Sequence, residues 1–177
     1  MKQAVKRLAF FMLAASVAIV PTPAVAQELV QAEHSAIDAV KAQCTSVKVT
    51  LRQLHTNDQL LRVNVGQTYN TVSAQYMARL NSRLVLKKIR SAEVVAITDR
   101  FEAQRRVFAE RYNAYDSAIS KLLTLDCKTQ PTDFYAQLVA ARDARHKLSS
   151  AVGDLNDSLT DYRVEVERLR DSLKGGA

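Results

Sequence analysis

The sequence predicts an all-α protein: an elongated antiparallel three-helix coiled-coil bundle, arranged up-down-up and closed by one intrachain disulfide. Three observations predict this fold. Apolar residues recur at alternating spacings of three and four along most of the chain, as in a heptad seam. The 177 residues include only four Gly, three Pro and no Trp, a composition typical of long helices. Two cysteines, far apart in the sequence, supply the closing bond.

The N-terminus has the pattern of a secretory signal. Lys2, Lys6 and Arg7 precede an uncharged apolar run over residues 8–20, and an Ala-Val-Ala cleavage site follows. An uncleaved membrane anchor is the alternative, but a span needs about 20 apolar residues and this run is shorter. We therefore expect removal of residues 1–26 and export to a periplasmic or extracellular location.

The net charge gives little information about the partner. The whole chain carries +7, and removing the signal takes away three basic residues and no acid, which leaves +4. A charge of this size does not indicate nucleic-acid binding, and export makes such binding still less expected.

The first part of the mature chain is a short overhang followed by a long helix. Residues 27–43 form an Ala-rich amphipathic segment that we expect to lie beyond the bundle, without a helix to pack on. The first long helix is expected over about residues 44–82. Its seam consists of Cys44, Val47, Leu51, Leu54, Asp58, Leu61, Val65, Thr68 and Val72. The apolar stripe then drifts to Tyr69, Tyr76, Leu80 and Leu84, as a coiled-coil stutter would cause.

Two further long helices complete the predicted domain, which covers residues 44–174. The second is expected over about residues 91–126 and the third over about residues 132–173. Pro131 separates them, because proline cannot continue the preceding helix. The third helix has the longest seam: Phe134, Leu138, Ala141, Arg145, Leu148, Val152, Leu155, Leu159, Tyr162, Val166, Leu169 and Leu173.

The cysteines decide how the first two long helices are connected. An even cysteine count in an exported protein predicts one disulfide, between Cys44 and Cys127. A bond within one chain folds these helices back on each other, with the turn near the midpoint at about residue 85. The alternative is one continuous helix over residues 45–125 with the cysteines bonding between chains. Helices of matched length usually close on themselves, which favours the first arrangement.

Charged seam residues meet when the three seams are matched end to end. Asp58, Arg111 and Arg145 then fall in two adjacent layers beside Tyr115, which predicts a buried polar layer. Isolated polar seam residues usually fix register, and we favour that role over proton handling. No nucleophile lies near a base, so the layer does not indicate covalent catalysis.

Two histidines fall at one level of the same register. These histidines, His55 and His146, are weak candidates for metal ligands, and Asp58 and Asp143 could supply carboxylates beside them. Arg145 lies among them, and the Glu-x-x-His spacing of carboxylate-bridged metal bundles is absent. We therefore expect no metal and no cofactor.

The distribution of charge along the sequence says more about a possible partner than the net charge does. No acid occurs from residue 59 to residue 92, and basic residues concentrate near the predicted first turn. This set, called the basic tip below, consists of Arg79, Arg83, Lys87, Lys88 and Arg90. Because apolar residues are interleaved with it, it is suited to an anionic lipid, an acidic wall polymer or an acidic protein. The plainer interpretation is a solvated turn, partly neutralised by Asp161, Glu165 and Glu167.

The sequence does not determine the function. Motifs for phosphate loops, redox cysteines, zinc proteases and serine hydrolases are absent, and a narrow bundle has no natural cleft, so we expect no enzyme. The favoured hypothesis is a binding or structural protein of the cell envelope, contacting an anionic component or a protein through the basic tip. A holdase-like periplasmic chaperone and a metal or small-ligand binder are the alternatives. Residues 28–43 either mediate self-association or form a disordered leader.

Overall fold

The structure is a computed structural model that describes residues 23–175. It is all-helical, with 92% helix and no strand within the described residues, so the all-α prediction is confirmed. Most of the predicted signal, residues 1–22, lies outside the described residues.

Between residues 23 and 175, long helices follow one another with short connections. They are α1 (Pro23–Ala42), α2 (Cys44–Thr71), a π-helical segment (Val72–Met77), α3 (Ala78–Leu86), α4 (Ala92–Thr124) and α5 (Pro131–Gly175). The chain divides into two compact units, with the division after Ser35. Every core cluster of the described chain lies in the second unit, where the helices form a bundle.

The disulfide predicted from the sequence is confirmed. Cys44 and Cys127 are bonded within the chain, and their Cα atoms lie 5.5 Å apart. The bond spans 83 residues of sequence, and a crosslink of this span stabilises by about 4–5 kcal/mol in the chain-entropy model. A continuous helix over residues 45–125 is excluded, because α3 ends at Leu86 and α4 begins at Ala92.

The π-helical segment accounts for the drift of the apolar stripe. A π turn adds one residue to the helical repeat and so rotates the positions that follow. Tyr69 is buried just before the segment, Met77 at its end and Leu84 in α3, whereas Tyr76, which was expected on the stripe, is 63% exposed. Thr68, which was expected in the seam, is exposed, and its neighbour Tyr69 enters the core instead.

The turn between α3 and α4 contains neither Gly nor Pro. The Ile89 N–H donates to the Leu84 carbonyl at 2.9 Å, and the Lys88 N–H donates to the Val85 carbonyl at 3.0 Å. This pair of bonds is a Schellman motif, whose left-handed position usually holds glycine. Here Lys88 occupies it with φ 55°, at a cost of about 1 kcal/mol. The sequence therefore lacks the usual signal of a turn.

The loop between α4 and α5 is held by a side chain. The Asp126 carboxylate accepts hydrogen bonds from the backbone N–H groups of Lys128 (2.7 Å) and Thr129 (3.2 Å). These bonds favour the charged carboxylate and lower the pKa of Asp126. α5 then begins at Pro131, a favourable first position because its missing N–H needs no partner there.

Two buried clusters hold the bundle together. The cluster around the disulfide contains Val40, Cys44, Tyr115, Ile119, Leu122, Cys127, Phe134 and Ala141. The second cluster contains Tyr69, Met77, Phe101, Phe108 and Leu155. Tyr69 meets both phenylalanines edge-on, with ring centroids 6.0 Å from Phe101 and 5.7 Å from Phe108. α4 contributes to both clusters and packs along α5, whereas α2 mainly contacts α4.

The end of the overhang does have a packing partner, contrary to expectation. Val40 is only 9% exposed and belongs to the cluster around the disulfide. The helix breaks at Gln43, directly before the disulfide cysteine Cys44. The last turn of α1 belongs to the second unit and packs into the cluster around the disulfide.

Candidate functional site

Asp58 of α2 links α4 and α5 in the middle of the bundle. Its Oδ2 accepts a hydrogen bond from the Tyr115 hydroxyl at 2.6 Å and another from Nε of Arg145 at 3.1 Å. Tyr115 is 1% exposed and the Asp58 side chain 11%, whereas the Arg145 side chain is 51% exposed. The cluster is therefore buried on the tyrosine side and open to solvent on the arginine side.

Arg111, the fourth residue expected in this layer, lies elsewhere. It is exposed and, within the described residues, makes no hydrogen bond to Asp58. α4 lies between two helices, so it buries a wider face than a single seam, and Tyr112 takes the buried position next to Arg111. The Arg62 guanidinium lies 4.8 Å from the centroid of the Tyr112 ring, a cation–π contact.

The pKa values in this cluster favour a fixed ion pair. Burial, and then the hydrogen bond to Asp58, raise the pKa of Tyr115. The hydrogen bond to Asp58 is also the main cause of the raised pKa of Arg145. Both groups thus keep their protons at neutral pH.

His55 pairs with a carboxylate that the sequence analysis did not single out. Its Nε2 lies 2.8 Å from Oδ1 of Asp116, and Gln59 lies within 3.2 Å of the same ring nitrogen. The His55 hydrogen bond is the main cause of the lowered pKa of Asp116, with further help from Gln59 and Tyr112. Asp116 directly follows the seam residue Tyr115, so attention to the flanks of the seam would have identified it.

His146, the other candidate metal ligand, does not take part in the pair between His55 and Asp116. His146 is exposed and faces a groove on α5, whereas His55 is engaged with Asp116. In the part of the chain that the structure describes, no group of three or more His, Cys, Asp or Glu residues is placed to hold a metal ion.

A groove of about 850 Å³ opens between α2 and α5, with α4 beneath it. Its principal apolar lining residues are Leu61, Val65, Phe108, Tyr112, Leu148 and Val152. Its charged or titratable lining residues are Asp58, Arg62, Arg142, Asp143, Arg145 and His146. The expectation of a bundle without a cleft was therefore wrong.

The groove exists because α2 does not close onto α5. Leu61 was expected in the seam of the first long helix, yet it is 58% exposed. α2 rests mainly on α4, and its contacts with α5 are sparse. The Asp58–Arg145 pair bridges the two helices at the groove.

All five residues of the basic tip are exposed. Within residues 23–175, none of their cationic groups takes part in an ion pair. Val85 and Leu86 lie between them in the sequence and are 74% and 80% exposed, the highest values among the large hydrophobic residues whose side chains the structure describes. The tip is therefore a surface that combines uncompensated positive charge with bare apolar side chains.

Two of the three acids that were expected to neutralise the tip have other partners. Asp161 pairs with Arg100, and Glu165 pairs with Arg168 at 2.8 Å. Glu167 is exposed and forms none of the ion pairs found within the described residues. Within residues 23–175, none of the three acids forms an ion pair with the basic tip.

Comparisons with protein-family models, with curated proteins and with solved structures find no match. None of the helices within residues 23–175 combines the length and the apolar character required to cross a membrane.

Replacing Asp58 with alanine is expected to destabilise the protein by about 2 kcal/mol, because the buried Tyr115 hydroxyl loses a charged acceptor. The loss is limited because Arg145 is half-exposed and becomes solvated. Urea denaturation measures the change. Asp157→Ala, an exposed acid on α5, is the control and should be nearly neutral. Equal midpoints for the two variants would contradict the cluster.

Asp116→Asn tests the pairing with His55 through its pH dependence. The pKa of Asp116 is lowered in the folded state from its ordinary value of 3.8. The contribution of the Asp116 carboxylate to stability is therefore present above pH 3.8, and it disappears as the pH falls through the lowered folded-state pKa. We expect Asp116→Asn to be less stable than the wild type at neutral pH, with the difference closing in acid. A difference that persists well below pH 3.8 would argue against the pairing.

Proposed function

We propose that this chain is an exported, non-enzymatic helical-bundle protein that binds an anionic lipid surface of the cell envelope through the basic tip. One observation carries the proposal: five exposed cations without an ion pair in the described chain lie in the same segment, residues 79–90, as the bare side chains of Val85 and Leu86. A lipid surface accommodates both the positive charge and the apolar residues, which favours it over an acidic wall polymer or an acidic protein.

The proposal includes an up-down-up arrangement of three helical arms with coiled-coil-like packing. The first arm consists of α2, the π-helical segment and α3. Contacts between this arm and α4 support the arrangement. Going forward from Cys44 through Asp58 to Asn81, the partners run backward from Cys127 through Tyr115 to Thr98.

Contacts between α4 and α5 support the same arrangement. Going backward along α4 from the Ala118 carbonyl through Gln104 to Arg100, the partners run forward from Gln137 to Ser158 and Asp161. In such a bundle the turn between α3 and α4 is a hairpin end, far along the arms from the disulfide.

The chemistry of the tip suits a lipid surface. Each Lys or Arg close to an anionic membrane contributes about 1 kcal/mol to the binding free energy. Salt weakens this attraction, which decays over roughly 10 Å in about 0.1 M salt. Val85 and Leu86 add apolar burial when they enter the boundary between headgroups and acyl chains. The combination predicts peripheral, salt-sensitive binding that depends on both charge and apolar contact.

Two features support the exported location. The N-terminal sequence has the composition of a secretory signal, and the disulfide is compatible with an oxidising compartment.

Support for a non-enzymatic role comes from the mid-bundle cluster. Asp58 there is held by Tyr115 and Arg145, and neither partner exchanges a proton near neutral pH.

Charge reversal at the turn tests the proposal. We expect the double variant Lys87→Glu/Lys88→Glu to bind phosphatidylglycerol vesicles at least about tenfold more weakly than the wild type, since two cations are lost and two anions gained. Co-sedimentation with vesicles measures the binding. The matched control is Lys121→Glu/Lys128→Glu, which makes the same charge change at exposed lysines near the disulfide.

The control should bind nearly as well as the wild type, and neither protein should bind phosphatidylcholine vesicles. Equal weakening by both double variants would show that binding follows net charge rather than the basic tip. Wild-type protein that fails to bind phosphatidylglycerol vesicles at low salt would refute the proposal.

A further inference from the structure

We infer that the groove between α2 and α5 is a binding site for a long-chain carboxylate, a single acyl chain with one acidic head. This inference rests on the groove alone and is independent of the basic tip. Size, apolar lining and charge each contribute to it.

The size and length of the groove fit one chain. Its volume of about 850 Å³ lies within the range of about 300–1,000 Å³ that small-molecule sites occupy. Its lining on α5 extends from Val139 to Val152, which at 1.5 Å per residue is about 20 Å of helix. A groove of this length and volume fits one extended acyl chain.

The lining leaves large apolar side chains in water. Leu61 is 58% exposed and Val139 is 50% exposed, on the two sides of the groove. Phe108 and Val152 also line the groove. Burying this surface against an acyl chain is favourable in proportion to the apolar area covered.

The charges of the groove select an anion. Its two acids already have cationic partners within the chain: Asp58 pairs with Arg145, and Asp143 pairs with Lys147 at 2.6 Å. Arg142 also lines the groove, is exposed, and forms no ion pair within the described residues. A guanidinium matches the planar carboxylate through two parallel hydrogen bonds.

Arg62 provides a second positive charge. It lies against the Tyr112 ring at the groove and has no acidic partner among the ion pairs of the described chain. The lining therefore presents two uncompensated guanidinium groups next to an apolar floor. A ligand with an acidic head and an apolar tail satisfies both features at once.

Fluorescence of cis-parinaric acid, a long-chain carboxylate that brightens in apolar surroundings, tests the inference on the full-length mature protein. We expect saturable binding that palmitate displaces and hexadecanol does not. Val139→Glu should weaken binding at least about tenfold, because it places a carboxylate in the apolar wall. Val164→Glu is the matched control on the same helix, at a valine 46% exposed outside the groove, and should bind normally.

A second pair of variants tests the head group. Arg142→Gln should weaken binding about tenfold through the loss of a charge-assisted hydrogen bond. Arg163→Gln removes an exposed arginine from α5 outside the groove and should leave binding unchanged. Circular dichroism on all four variants confirms that the helices remain folded.

Several outcomes would overturn the inference. Absence of parinaric acid binding to the wild type is one, and displacement by hexadecanol as effective as by palmitate is another. Equal effects of Val139→Glu and Val164→Glu would place the ligand outside the groove. Loss of binding in Lys87→Glu/Lys88→Glu would place it at the basic tip, whereas retained binding supports a separate site.

Discussion

The disulfide between Cys44 and Cys127 joins the start of α2 to the loop that follows α4, and one of the two buried clusters forms around it. Besides this bond, α2 is held mainly by its contacts with α4 and by the residues it adds to the two buried clusters. The bond also sets the level at which later residues meet. Once Cys44 is fixed, the spacing of the helix brings Asp58 level with Tyr115 and Tyr69 level with Phe108.

The packing of α2 explains the groove. α4 and α5 pack closely along their shared length, whereas at the groove the Asp58–Arg145 pair bridges α2 and α5 while Leu61 stays 58% exposed. A helix held in this way leaves apolar side chains uncovered, and Leu61 and Val65 line the resulting groove. Farther along, the π-helical segment rotates the buried face so that Met77 and Leu84 re-enter the core just before the turn.

Much of the fold followed from the sequence, and the limits are physical. Periodicity identified the helices and the cysteine count identified the disulfide, because both depend on local spacing and on chemistry that few residues share. A heptad pattern specifies which face of a helix is buried, but not how closely a partner approaches that face. The exposure of Leu61 and the groove were therefore missed. The same limit explains Arg111 and Thr68, which lie beside the true core positions Tyr112 and Tyr69.

The basic tip is the central functional claim, and a single tryptophan tests it most directly because the chain has none. Val85→Trp places the reporter at the tip, and Val49→Trp places it at a valine 55% exposed on α2. On addition of phosphatidylglycerol vesicles containing brominated lipid, the account predicts a blue shift and quenching for the residue at 85 and little change at 49. Equal responses at both positions, or none at 85, would contradict membrane contact through the basic tip.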